Sequence, residues 1–204
     1  MSQPSTRRRQ GVATPLVLAL TLLGGSTLMS QTRPDFSGSW KINKPLSDDA
    51  KAKVAEVAGP DTVAGGDRTL GWNAFLPRDY GKGVERVNVR EFLMKAVGLL
   101  EAFSIEQSAT EVKTIYGDDD RVRIFNLTRP SSGSGADGVT VTRKTHWQGE
   151  QLVLESESGE AKLTEVLTLV PTRNQLIHAL HYEVKVLKKP LDLKLVYDKA
   201  AGSQ

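Results

Sequence analysis

The run Ala161-Lys-Leu-Thr-Glu-Val-Leu-Thr-Leu-Val170, with Gln175-Leu-Ile-His-Ala-Leu-His-Tyr-Glu-Val-Lys-Val186 and Leu191-Asp-Leu-Lys-Leu-Val-Tyr197 after it, decides the fold class. Leu163, Leu167 and Leu169 share one side of an extended chain. So do Leu176, Leu180, Tyr182 and Val184, and again Leu191, Leu193, Leu195 and Tyr197. The alternate positions include Lys162, Thr164, Thr168, Glu183, Lys185, Asp192, Lys194 and Asp198. A period of two with one dry and one wet face is the mark of an antiparallel sheet that packs on a single side.

Reading outward toward the N-terminus, the same pattern predicts strands over 102–107, 111–116, 121–127, 139–147 and 151–156. Turn chemistry separates them: Gly117-Asp118-Asp119-Asp120, Gln148-Gly149-Glu150, Ser158-Gly159-Glu160, Pro171-Thr172-Arg173-Asn174 and Lys189-Pro190. Arg129 to Gly138, with its Ser/Gly core, is expected to be a flexible hairpin loop. The first strand lies further back, in Phe36-Ser37-Gly38-Ser39-Trp40-Lys41-Ile42. Between it and the meander, about 46–100 is a helical insertion: one helix capped by Ser47 and running to Val57, and one whose Val89, Leu93, Val97 and Leu100 recur on a single face. A flat sheet of so many short strands would expose two edges, so the expected fold is mainly β, an antiparallel up-and-down meander closed into a barrel or strongly curled.

Residues 1–30 read as an address rather than as fold. Arg7, Arg8 and Arg9 precede an apolar run, Val12 to Leu23, and small or polar residues follow to Ser30, the layout of a secretory signal peptide. One domain, 31–204, is expected after cleavage, with export to the periplasm or beyond and no stable membrane span. The chain carries no cysteine, which excludes disulfides and thiolate chemistry. Three of its 27 Lys+Arg lie in residues 1–30, which leaves 24 against 24 Asp+Glu in the mature part. With no basic surplus to displace phosphate counterions, nucleic-acid binding is not expected.

The order of parts resembles the calycins, that is lipocalins and intracellular fatty-acid-binding proteins. Phe36-Ser37-Gly38-Ser39-Trp40-Lys41-Ile42 is similar to their opening strand, whose Gly-x-Trp closes the barrel base, and Glu91-Phe92-Leu93-Met94-Lys95-Ala96-Val97-Gly98 is similar to the helical lid of the second branch. The resemblance implies a lipocalin-like barrel; with the barrel-like pattern, the expected function is an exported protein that binds a small apolar or amphipathic, lipid-like ligand, whose identity the resemblance does not carry over. It does not place the arginine–tyrosine group that holds a carboxylate in fatty-acid-binding proteins.

No residue cluster demands catalysis. Asp118-Asp119-Asp120 lacks the alternating ligands of a calcium loop. His178 and His181, three apart on a strand, face opposite sides, and no Gly-x-Ser-x-Gly surrounds a serine. The reading is therefore a non-enzyme without metal or cofactor. The candidate ligand-binding residues are Trp40, Tyr116, Phe125, Trp147, Tyr182, Arg121 and Arg123, the aromatic ones being core residues in the competing view. Arg121 and Arg123 are solubilising if outward; turned inward with Phe125, one pairs an acidic head group. The other function class is a structural or protein-interaction module of the cell envelope whose barrel is filled. Mass spectrometry of protein recovered from cells that export it should show a mature chain beginning near Gln31, and a full-length cytoplasmic chain would refute export.

Overall fold

The alternation along the last three predicted strands is realised in a computed structural model, which describes residues 33–65, 86–117, 121–134, 140–159 and 161–200. Its elements are β1 (Gly38–Ile42), α1 (Ala50–Val57), β2 (Val63–Gly65), β3 (Arg86–Asn88), α2 (Val89–Gly98), β4 (Ala102–Gln107), β5 (Glu111–Tyr116), β6 (Arg121–Asn126), β7 (Ser131–Ser134), β8 (Thr140–Gln148), β9 (Gln151–Ser158), β10 (Ala161–Val170), β11 (Gln175–Val184) and β12 (Leu191–Lys199). Ten strands form one sheet in the order β6-β5-β4-β1-β12-β11-β10-β9-β8-β7, every pair antiparallel. The two ends of this sheet come round toward each other, with β6 packed near β8, so the barrel is nearly closed. This is the order expected from the sequence: a first strand, a helical insertion, then a meander that returns to the first strand.

Burial follows parity. Leu163 and Leu167 on β10, Leu176 and Leu180 on β11, and Leu191, Leu193, Leu195 and Tyr197 on β12 are buried, and each such leucine contributes about 1.5–3 kcal/mol relative to exposure. Trp40 joins them from β1, opposite Phe103 on β4 and Lys199 on β12. Its indole N–H donates to the Phe36 carbonyl at 3.0 Å, so its polar atom is satisfied by the chain itself. The amphipathic face read for the second helix is confirmed: Val89, Leu93, Val97 and Leu100 are all buried. Leu93, Ala96, Val97 and Leu100 face Leu180, Tyr182, Leu191 and Leu193, which puts α2 over inward residues of β11 and β12.

Three local expectations are corrected. Asp49, not Ser47, caps α1, accepting the amides of Lys51 and Ala52 at 3.1 and 3.0 Å. The Ser47 hydroxyl instead accepts the Val196 amide at 2.9 Å, because 43–48 runs on beside β12 past the end of β1. Second, Arg129 to Gly138 is not wholly a loop, since Ser131–Ser134 is β7, hydrogen-bonded to Thr140–Arg143. Third, the insertion holds a two-stranded ribbon, β2 with β3, beside its helices. The acidic turn at 118–120 lies outside the described residues. Among the described residues no helix is long and apolar enough to cross a membrane.

Gly38 is the tight point of β1. Its φ is +137°, and a β-carbon there would fall 2.7 Å from Cε of Lys199. Gly38→Ala should therefore lose about 1–3 kcal/mol in urea unfolding; an unchanged midpoint would show that β1 can relax around the side chain.

Candidate functional site

The inward face is not uniformly apolar. β5 and β6 carry Tyr116 and Arg123, with Arg123 opposite Thr114 in the ladder. On the other side of the interior, β10 carries Glu165 between Leu163 and Leu167, and β11 carries His178 between Leu176 and Leu180. β6 and β10 are not neighbours in the sheet, yet their side chains meet. Arg123 Nη1 donates to Glu165 Oε2 at 2.7 Å and Nη2 to Oε1 at 2.9 Å, a two-pronged pair that exploits the planar guanidinium. Arg123 Nη2 also donates to the Tyr116 hydroxyl oxygen, and His178 Nε2 lies 3.0 Å from Glu165 Oε1. Glu165 and His178 are each 1 % exposed.

Aromatic rings wall this network. The Arg123 guanidinium carbon sits 4.9 Å from the Tyr116 ring centre and 5.4 Å from that of Phe125, and Arg143 on β8 lies 5.9 Å from the same Phe125 ring. Phe103 stacks on Tyr116 at 5.3 Å, meets Tyr197 edge-on at 4.9 Å and flanks His178 at 5.8 Å. The Tyr197 hydroxyl donates to the Leu100 carbonyl at 2.8 Å, tying the wall to the turn after α2.

The electrostatics follow from burial and pairing. Burial by itself pushes the Glu165 carboxyl up, but the Arg123 charge and the hydrogen bond from His178 outweigh it and hold the group well below the usual carboxylate range, at about 2. Burial raises the Tyr116 phenol to about 12, so it stays protonated at neutral pH. The His178 tautomer that donates from Nε2 to Glu165 leaves Nδ1 of the neutral ring as an acceptor.

Further inward polar atoms lack partners. Among the described residues, Thr145 Oγ1, Ser156 Oγ, Ser158 Oγ, Trp147 Nε1 and His178 Nδ1 are shut off from solvent and make no hydrogen bond. Ser156 and Ser158 belong to the inward parity of β9 with Leu152 and Leu154; Ser156 pairs with Arg143 on one side and Leu163 on the other.

Of the residues singled out in the sequence, Tyr116, Arg123 and Phe125 are brought together. Trp40 is core, with its N–H satisfied. Tyr182 is buried under α2, and Trp147 packs at 6.0 Å against Phe36 with Arg33 over its ring at 5.3 Å. The Arg121 side chain lies outside the described part. Arg123 does turn inward, but the acid it pairs with is the chain's own Glu165. Glu165, His178, Ser156 and Ser158 were missed, and the signal was a polar residue at the dry parity of an otherwise apolar strand. His178 and His181 face opposite sides as expected: His181 lies outside, between Asp192 and Glu183, both at 2.6 Å.

The sequence matches no family model and no curated protein. Among solved structures it is similar in shape to a SAHS (abundant heat soluble) protein from Ramazzottius varieornatus, with 12 % identity over 83 % of this chain and 98 % of that one and a TM-score of 0.42. It is also similar to the REP1-NXSQ fatty acid transporter, with 10 % identity over 83 % and 98 % and a TM-score of 0.46. A variant of the fluorescent protein UnaG gives 16 % identity over 82 % and 97 % and a TM-score of 0.43.

Removing one partner of the central pair strands a buried charge. Glu165→Ala should lower stability by about 3–5 kcal/mol, whereas the double change Arg123→Met with Glu165→Leu should recover most of it. The pH dependence has a definite sign. Because the folded carboxyl titrates lower than the unfolded one, its contribution is full above the ordinary value of 4.5 and is lost as pH falls through about 2. Urea midpoints of native protein and Glu165→Gln should therefore converge as pH is lowered from 5 toward 2, and a constant gap would refute the assignment.

Proposed function

We propose that the mature chain is an exported, periplasmic or extracellular binding protein whose barrel takes up a small apolar or amphipathic molecule and performs no chemistry on it. The observation that carries this reading is the set of buried, unpartnered hydroxyl and ring-nitrogen atoms on an otherwise apolar inward face, Ser156 and Ser158 foremost. Each such atom left unsatisfied costs about 1–3 kcal/mol, a cost that a purely structural core avoids by placing alanine or valine there. A ligand whose tail meets leucine and aromatic rings and whose polar end meets these atoms removes it.

A second reading has its own support. One apolar cluster runs from Phe36 through Phe125, Leu152 and Leu154 to Tyr197, each 0–1 % exposed, as in a barrel filled by its own side chains. In that case the protein is an envelope structural or interaction module. Native mass spectrometry of the purified mature chain, followed by titration with the neutral dye Nile red, separates the two. Saturable dye uptake that quenches or shifts tryptophan emission, blunted in Trp147→Phe, supports the binding barrel. No retained small molecule and no saturable uptake favours the filled one.

A further inference from the structure

We infer, resting on the binding reading above, that the head group this barrel accepts is an uncharged hydrogen-bonding one, a hydroxyl above all, and not a carboxylate. The first reason is occupancy. Both prongs of the Arg123 guanidinium are engaged by Glu165, and Nη2 reaches Tyr116 as well. The chain has supplied its own carboxylate at the place where an acidic ligand would dock. An incoming acid must either expel Glu165, which then keeps only its contact with His178, or sit beside it as a second anion. Like charges a few ångströms apart repel several-fold more strongly in a protein interior than in water.

The second reason is the chemistry of the atoms that still want partners. Ser156 and Ser158 are 0 % and 1 % exposed, and their hydroxyls both donate and accept. They lie one and two inward positions along β9 from Leu154, the residue opposite Glu165. On the other flank of Glu165, His178 Nδ1 is an acceptor in the neutral ring whose Nε2–H donates to the carboxylate. An alcohol gives a proton to an acceptor and takes one from a serine. A carboxylate only accepts, so it meets the serines but not the imidazole nitrogen. Arg143, opposite Ser156, is the one other described inward cation that an acid would turn to, and it is therefore part of the test.

Competition for Nile red by palmityl alcohol and by palmitate, two ligands with one tail and different heads, decides the matter in the native protein at pH 7.5. The alcohol should displace the dye at a concentration lower by about tenfold or more. In Glu165→Gln, which frees the Arg123 charge, the acid's affinity relative to the alcohol should rise by about tenfold. Palmitate binding as tightly as the alcohol in the native protein, and losing that affinity in Arg143→Met, would overturn the inference and make Arg143 the head-group residue. Dye uptake with acid preference thus defeats this inference alone, whereas no saturable dye uptake defeats the binding reading and this one with it.

Discussion

A guanidinium and a carboxylate meet inside a barrel walled by leucines and aromatic rings, on strands β6 and β10 that are not neighbours in the sheet. Bringing two charges out of water is expensive, and their attraction offsets that only when the geometry is good and the remaining donors and acceptors are met. Here Tyr116 and His178 supply two further partners. The pair accordingly adds little as a net stabiliser and much as a constraint: β5 and β6 on one side and β10 and β11 on the other have to stand at the separation that lets all four side chains meet. The packing of Phe103 against Tyr116, His178 and Tyr197 is arranged around that separation.

Most of the sheet was legible because parity is a strong signal where one face is wet. Leu176 to Val184 and Leu191 to Tyr197 could be assigned to an inner face from their spacing alone, and the amphipathic stripe of α2 likewise. Local signals with competing solutions read less well. Ser47 looks like a helix cap, but its hydroxyl serves β12, and Asp49 does the capping. Ser131–Ser134 has the composition of a linker, yet it pairs as β7 because the neighbouring strand offers a ladder and small side chains do not obstruct it.

The site was less legible for a related reason. Aromatic residues and arginines attract notice as ligand contacts, and Tyr116, Arg123 and Phe125 do gather. What decides their chemistry is a glutamate and a histidine at positions where the alternation calls for leucine. A single polar residue in a dry row reads as noise until its partner, far away in sequence, is known. Arg123 and Glu165 sit on strands separated by five others along the sheet, so neither spacing nor periodicity links them.

The placement of β1 bears on how the molecule assembles. This strand lies between β4 and β12, and Trp40 stands opposite Lys199 near the far end of the chain. A local hairpin seals only one edge of β12, through β11; the other is covered by β1, a segment made far earlier in the chain. Contacts between such distant segments require a large loop to be closed before they are rewarded, which slows folding relative to a chain of successive hairpins. While a ribosome is still adding residues, the opening strand and its tryptophan therefore have no completed sheet to join, and the barrel seals only once the last strand has emerged.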